Sequence, residues 1–305
     1  MERLGVGLFL PSDPAHLGLI SELIDSEADY FELSPESFWL GSSRGQGIEI
    51  HKAVQLFENF RDLLKKPFAG HGLAYSLGTP IQGKLEKART ADWLDAIKRS
   101  HKLFNFQWYS EHLGFTNSSA GRHAVLPLPL PHSQRSADVV SDRLKRIQEI
   151  VPLTAFENSL VYFSIDDPMK EADFYNKICK ESSSHLMLDL HNAYTHCLNF
   201  NLDMYKFIDA IDLNNVIQIH LSGGSLSEAD WLSSKKVMRL DSHDDAIPEA
   251  VFDLYEYVLP RAKNLKGVIV ERLNRTLSQG DIPHFVSQFN KVKRLFHELG
   301  TRAVE

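Results

Sequence analysis

The feature that most constrains this chain is a series of short apolar runs of strand character. From the third onward, each delivers a ligand-type side chain at or near its C-terminal end. The runs are LGVGLFL (Leu4–Leu10), YFEL (Tyr30–Leu33), FAGHGLA (Phe68–Ala74), FQWYSE (Phe106–Glu111), LTAFEN (Leu153–Asn158), LMLD (Leu186–Asp189), VIQIH (Val216–His220) and VIVE (Val268–Glu271). Longer stretches with apolar residues at three- and four-residue spacing lie between them, among them EIHKAVQLFENFRDLLKK, TADWLDAIKRSHKLF, SADVVSDRLKRIQEI and EAVFDLYEYVLPRA. This is the alternation of β-α units. Eight strands is the number that closes a TIM-type (β/α)8 barrel, the fold expected here, although a doubly wound sheet shows a similar alternation.

No Gly-, Ser- or Pro-rich linker, tandem repeat or low-complexity tract divides the chain, so residues 1–305 read as a single barrel domain. The prolines of LPLPLPHSQ (Leu126–Gln134) read as a stiff loop above the barrel. The apolar run near the N-terminus is too short for a membrane span and lacks the flanks of a secretion signal, so it reads as a strand. A net charge of −7 offers no general attraction to nucleic acid or to anionic membranes. Two cysteines, Cys179 and Cys197, make neither a disulfide framework nor a CxxC zinc site, and a reducing cytoplasm fits best.

In a parallel barrel the C-terminal ends of the strands share one mouth, where sites assemble from residues distant in sequence. His71, Glu111-His112, Glu157-Asn158, Asp189, His220 and Glu271 all fall there. Asn192 follows Asp189 by three residues, and the segment VMRLDSHDDAIPE sets Asp241 and His243 on a loop beyond the seventh run. Alone, any one of these has a bland reading: a core histidine is usually hydrogen-bonded, and a strand-terminal Glu often caps a helix. Together they differ, because several carboxylates gathered in one buried place repel one another and lose hydration unless cations sit among them. Imidazoles, carboxylates and an amide without thiolate suit iron, manganese or zinc.

The ordered motifs LGVGLFL, YFELSPESFW, HGLAYSLGTP, SEHLGFT, LPLPLP, FENSLVYF, LDLHNAY, IQIHLSGG, LDSHDDAIPEAVFDLY and VIVER span almost the whole chain. In them the chain resembles the multinuclear non-heme iron-dependent oxidative enzymes that modify ribosomally made peptides, including those of the 3-thiaglutamate pathway and of methanobactin maturation. The resemblance implies a xylose-isomerase-type barrel with a ligand order similar to that of endonuclease IV. Carried over by motif, His71, His112 and Glu157 hold one metal. Glu157, Asp189, His220 and Glu271 enclose a second, and Asn192, Asp241 and His243 hold a third. The chain departs from the family in DLHN, where His191 replaces an Asn, and in FENSLVYF. Asn192 also stands where endonuclease IV has a histidine, and a hard amide oxygen there favours iron over zinc.

The resemblance further implies two or three irons in mixed Fe(II)/Fe(III) valence, a Cys-containing precursor peptide as substrate, O2 as co-substrate, and oxidation beginning at the cysteine β-carbon. Excision of that carbon as formate is the favoured outcome, and rearrangement to an oxazolone and thioamide is the other. A separate leader-peptide-binding partner protein is expected, since nothing in the chain looks like a winged-helix peptide-binding module. His191, His123 and His132 are candidates for acid–base work, with His191 foremost. For Tyr75, Trp108, Phe115 and Tyr162, beside the motif residues, wall packing is favoured over lining a peptide groove. The competing readings are a zinc hydrolase of abasic nucleic acid, a two-cation sugar isomerase, and a non-catalytic barrel.

Overall fold

Strands that are parallel neighbours cannot be joined by tight turns, so each apolar run must be followed by a crossover that returns the chain to the same end. The computed structural model describes residues 3–41, 47–117 and 123–300, with side chains from 127 onward in the last segment. It closes eight parallel strands into a barrel: β1 (Gly5–Phe9), β2 (Phe31–Leu33), β3 (Phe68–Gly72), β4 (Tyr109–His112), β5 (Thr154–Glu157), β6 (His185–Asp189), β7 (Val216–Leu221) and β8 (Gly267–Val270). They follow one another around the ring in sequence order, and β8 pairs back on β1 with Gly5 opposite Gly267. Every expected run becomes a strand of this barrel, which excludes the doubly wound alternative.

Among the described residues there are nine α-helices: α1 (Pro14–Leu19), α2 (Val54–Leu64), α3 (Gly83–Phe104), α4 (Gln134–Gln148), α5 (Glu171–Ser182), α6 (Leu190–Phe200), α7 (Met204–Ala210), α8 (Glu249–Val258) and α9 (Ile282–Gly300). Their buried faces follow the helical period, as in α8, where Val251, Phe252, Leu254, Tyr255 and Val258 turn toward the core. That helix ends two residues before Pro260, whose ring cannot donate a backbone hydrogen bond. Helix α2 starts later than its apolar spacing suggests, because Ile48–Ile50 instead pairs antiparallel with Trp39–Gly41.

The proline-rich segment also differs from a plain loop. His123–Leu128 pairs antiparallel with Phe115–Asn117. Pro127 is tolerated because a two-stranded ribbon leaves one edge of each strand without a required donor.

One buried charge cluster fixes the loop after β3. Glu86 on α3 accepts two hydrogen bonds from Arg89, at 3.0 and 2.9 Å, and pairs with Arg143 of α4. Both guanidiniums then reach the Tyr75 carbonyl, Arg89 at 2.7 Å and Arg143 at 3.0 Å. Burial pushes the Glu86 carboxyl up, but the two cations outweigh it and hold it below the usual carboxylate range. Among the described residues no helix is long and apolar enough to cross a membrane.

Candidate metal centre

Alternation along a strand sets the depth of each side chain in the barrel. A floor of Tyr30, Ala69, Trp108, Ala155, Met187, Ile217 and Ile269 packs together inside. Two positions beyond a floor residue comes a polar one: Glu32 after Tyr30, His71 after Ala69, Glu157 after Ala155, Asp189 after Met187, Glu271 after Ile269. On β4 the same step passes from Trp108 through Ser110 to His112. Glu111, offset by one, turns the other way and accepts from the Tyr75 amide at 3.2 Å.

The polar layer is continuous. His112 Nε2 lies 2.7 Å and His71 Nε2 3.5 Å from Glu157 Oε2. Ser110 Oγ, 2.9 Å from His71 Nδ1, fixes that ring from behind. Asn192 donates from Nδ2 to Glu157 Oε1 at 3.1 Å, and its backbone N–H reaches Asp189 Oδ1 at 2.6 Å. Asp189 is therefore both the last residue of β6 and the N-cap of α6. His220 stands between two carboxylates, with Nε2 3.0 Å from Glu32 Oε1 and Nδ1 3.3 Å from Glu271 Oε2. His243 Nδ1 is 3.4 Å from the same Glu271 oxygen, and its Nε2 is 2.6 Å from Asp241 Oδ1.

The loop carrying Asp241 and His243 is held by its own hydroxyls. Asp244 accepts from Ser242 Oγ and Ser225 Oγ, both at 2.7 Å, and His243 adopts a left-handed φ of 48°. Its carbonyl accepts from the Leu273 amide at 2.9 Å, tying the loop to the chain just past β8. These residues line a cavity of about 380 Å³ that His71, His112, Glu157, Asp241, His243 and Glu271 share with Phe9, Leu73, Leu160, Tyr162 and Leu273.

Charge in this layer is unevenly distributed. Burial pushes Asp189 well above the usual carboxylate range, reinforced by Asp241, Glu157 and Glu271, and burial likewise raises Glu32. Burial also disfavours charge on His112 and His243, yet Glu157 lifts the first to about 9, and Asp241 with Glu271 lifts the second to about 10. His71, buried beside other imidazoles, falls well below its ordinary value.

Glu157 Oε2, Asp189 Oδ2, Asn192 Oδ1, Asp241 Oδ1, His220 Nδ1 and His243 Nε2 all lack a hydrogen bond of acceptable geometry, although buried. Orphaned donor atoms converging on one place are what a cation would satisfy. Among the described residues, four groups have ligand atoms close enough to share an ion: His71–His112–Glu157, Glu157–Asp189–His220, Asp189–His243–Glu271 and Glu32–His220–Glu271. The donor set, with imidazole and carboxylate but no thiolate, fits a metal of the iron, manganese or zinc kind.

All nine sequence-predicted ligand candidates gather around this layer, whereas the acid–base candidates His191 and His132 lie off the cavity wall. His191 is fully buried behind Asp241, with Nδ1 3.8 Å from Asp241 Oδ1 and Nε2 3.4 Å from both Thr195 Oγ1 and Arg239 Nε, and it is not among the residues lining the cavity. His132 stacks on Phe174 at 5.2 Å, also off the cavity wall. The His123 side chain lies outside the described ones. Tyr75 is buried under the Arg143 guanidinium and Trp108 lies in the floor, so both pack walls. Phe115 is half-buried on the ribbon opposite Leu128 and is not among the cavity-lining residues. Tyr162 does line the cavity, accepting from the Asp241 amide at 3.2 Å and meeting Trp231 edge-on at 5.3 Å.

Sequence reasoning missed Glu32. The available signal was its register, two residues past Tyr30, the same step that leads from Ile269 to Glu271.

A model of the RiPP precursor modification enzyme family MbnB/TglH/ChrH matches residues 5–295. The chain is 28% identical over 272 residues to a UPF0276 protein of Acinetobacter baylyi, covering 89% of this chain and 85% of that one. It is 28% identical over 291 residues to a UPF0276 protein of Shewanella sediminis, covering 92% and 94%. Among solved structures, a xylose isomerase domain protein from Planctomyces limnophilus superposes with TM-score 0.59 at 12% identity over 98% of this chain and 99% of that one. Endonuclease IV from Thermus thermophilus superposes with TM-score 0.53 at 15% identity over 94% and 98%. At these identities the two structures are alike in fold.

Proposed function

The chain belongs to the RiPP precursor modification enzyme family MbnB/TglH/ChrH, and from that premise we propose that it is an O2-dependent, multinuclear non-heme iron enzyme. In this reading it oxidises a cysteine of a ribosomally made precursor peptide, beginning at the β-carbon. The observation that carries the reading is the gathering of orphaned, buried carboxylate, imidazole and amide atoms in one polar layer, of which Glu157, Asp241 and His243 also line the cavity. His71, His112 and Glu157 would hold one iron. Glu157, Asp189, His220 and Glu271 would hold a second, and Asn192, Asp241 and His243 a third. Bound iron would supply an anchor for the substrate thiolate, as zinc also would, and the electrons with which dioxygen is reduced, which redox-inert zinc would not.

The chain's own residues prepare the site. Ser110 orients the His71 ring. Asn192 donates to one oxygen of Glu157, leaving the other oxygen and its own carbonyl free. Phe9, Leu73, Leu160 and Leu273 form an apolar collar that strips water from an entering peptide segment. The reading includes a separate leader-binding protein that tethers the precursor at the mouth and raises its effective concentration. A reducing cytoplasm and a single barrel domain over 1–305 complete it; Cys179 and Cys197 are both free and buried.

The test is incubation of anaerobically purified, iron-loaded protein with its partner, O2 and precursor peptide labelled at the cysteine β-carbon. Label released as formate supports excision, the favoured outcome, and label retained in an oxidised peptide supports rearrangement. Unchanged peptide in the presence of a full iron complement removes the proposal.

A further inference from the structure

The loop that carries Asp241 and His243 is gripped from α6. Its approach, residues 238–240, pairs antiparallel with residues 225–227: the Ser227 N–H donates to the Met238 carbonyl at 2.7 Å, the Leu240 N–H donates to the Ser225 carbonyl at 2.9 Å, and Leu226 stands opposite Arg239. In such a ribbon the middle residue turns its own N–H and carbonyl away from the partner strand. One side chain meets both. The Arg239 N–H donates to Asn199 Oδ1, and Asn199 Nδ2 donates to the Arg239 carbonyl, each at 2.9 Å. Asn199 lies near the C-terminal end of α6 and is 3% exposed, so its amide stands in for a third strand. The Arg239 guanidinium also lies over the Tyr194 ring of the same helix, 5.2 Å from its centroid, and the Lys236 ammonium donates to the Asn199 carbonyl. The ribbon has no slack: a Cβ at Gly224 would come within 2.1 Å of the Leu240 carbonyl oxygen.

From this arrangement we infer that Asn199 is a positioning residue of the third proposed metal set: by clasping the Arg239 backbone it fixes where Asp241 and His243 stand relative to Asn192. The inference rests on the proposed metal-binding reading. Asn192 and Asn199 are about two turns apart on α6, so one rigid rod carries a proposed ligand and the grip on the backbone that leads into the other two. Asp241 follows Arg239 by only two residues, and over so short a span its place depends on where Arg239 is held. Tyr162 adds one bond from the Asp241 N–H at 3.2 Å, but Tyr162 belongs to the loop after β5 and does not tie this segment to α6. Coordination tolerates little displacement, about 0.2 Å in the bond length, and loss of a residue that supports metal ligands typically weakens binding about 10- to 100-fold. The same clasp occurs where no metal is proposed. Asn176 of α5 accepts from the Asp212 N–H and donates to the Ala210 carbonyl, each at 2.8 Å.

The experiment uses the full chain, purified without metal and titrated calorimetrically with zinc as a redox-silent probe. Asn199→Ala is expected to weaken one zinc of the set about 10- to 100-fold and to leave the others as in the wild type. Asn192→Ala is expected to weaken the same zinc, and the double variant to lose less than the two single losses combined, because both residues act on one ion. Asn176→Ala, which breaks the matching clasp on α5, is expected to bind every zinc as the wild type does; a merely structural role for Asn199 would make the two clasps alike. Should Asn199→Ala fail to fold, Asn199→Asp carries the test. Its carboxylate keeps the acceptor for the Arg239 N–H and lacks the donor for the carbonyl, so the same zinc weakens by a smaller factor. Wild-type affinity for every zinc in the Asn199 variant, equal weakening of all of them, full additivity with Asn192→Ala, or the same loss in Asn176→Ala overturns the inference and leaves the metal reading standing. If the wild-type chain takes up neither zinc nor iron, both fall together.

Discussion

Asn158 closes on the backbone of Asp189 with both ends of its amide: Oδ1 accepts from the Asp189 N–H at 2.7 Å and Nδ2 donates to the Asp189 carbonyl at 2.9 Å. The two residues sit at the ends of neighbouring strands, so a side chain continues the ladder where the backbone pairing of β5 and β6 stops. Asn158→Ala removes both bonds and leaves two buried backbone groups unpaired, at about 1–3 kcal/mol each. The variant is expected to lose about 2–4 kcal/mol in urea unfolding. A loss below about 0.5 kcal/mol would mean that the Asp189 backbone is held by something else.

His220→Ala and Glu271→Ala are each expected to strip metal and abolish turnover while leaving the far-ultraviolet circular dichroism of the barrel unchanged, because the core is built from other residues. Asn192→Ala should lose chiefly one metal, since a neutral amide is the weakest donor of the proposed set. Wild-type metal content in either of the first two variants would end the assignment, and equal loss of all metals in the third would remove a distinct third site.

Protons must leave before a cation can enter. His112 at about 9 and His243 at about 10 both carry a proton at neutral pH when no metal is bound, and a metal needs a bare imidazole nitrogen. Metal uptake at pH 7 should therefore release protons, and apparent affinity should climb as pH rises toward 9, by up to about tenfold per unit for each proton displaced. Calorimetry in buffers of different ionisation enthalpy counts those protons. A heat independent of buffer between pH 6 and 8 would contradict the placement of these two histidines.

A second pH effect lies away from the cavity. Burial lifts Glu171 on α5 from 4.5 to about 7, with His196 Nε2 3.4 Å from its carboxylate. The folded chain thus holds a proton that the unfolded chain releases near 4.5, so this stabilisation is complete below that pH and drains away as pH rises through 7. Glu171→Gln, neutral throughout, should show no such decline. The stability difference between variant and wild type is expected to grow in the variant's favour by up to about 3 kcal/mol between pH 4.5 and 7.5. Parallel stability curves across that window would show that Glu171 is ionised in the fold.

The barrel was legible because strand character and position repeat together. Each apolar run recurs after a helix-sized interval, and the ligand-type residue comes where the run ends. What local pattern cannot convey is the face on which an isolated polar residue falls. Glu32 lies within a run that reads as YFEL, and only the barrel's register tells that it shares the inside with Tyr30 while Leu33 does not. The same holds for His191. It adjoins Asp189 and Asn192 in sequence, but the first turn of α6 carries it behind Asp241 instead of into the cavity.

Six of the eight strands, β3 through β8, each lend a candidate ligand to the polar layer at or just past their ends, and consecutive members touch or share a group around the mouth. Once cations bridge those side chains, the layer becomes a hoop around most of the ring: none of these six strands can peel away without first breaking a coordination bond to the next. Such a hoop acts on the rate of opening more than on the populations at rest, so the loaded protein should outlast the metal-free one many times over under protease even where their melting curves lie close together.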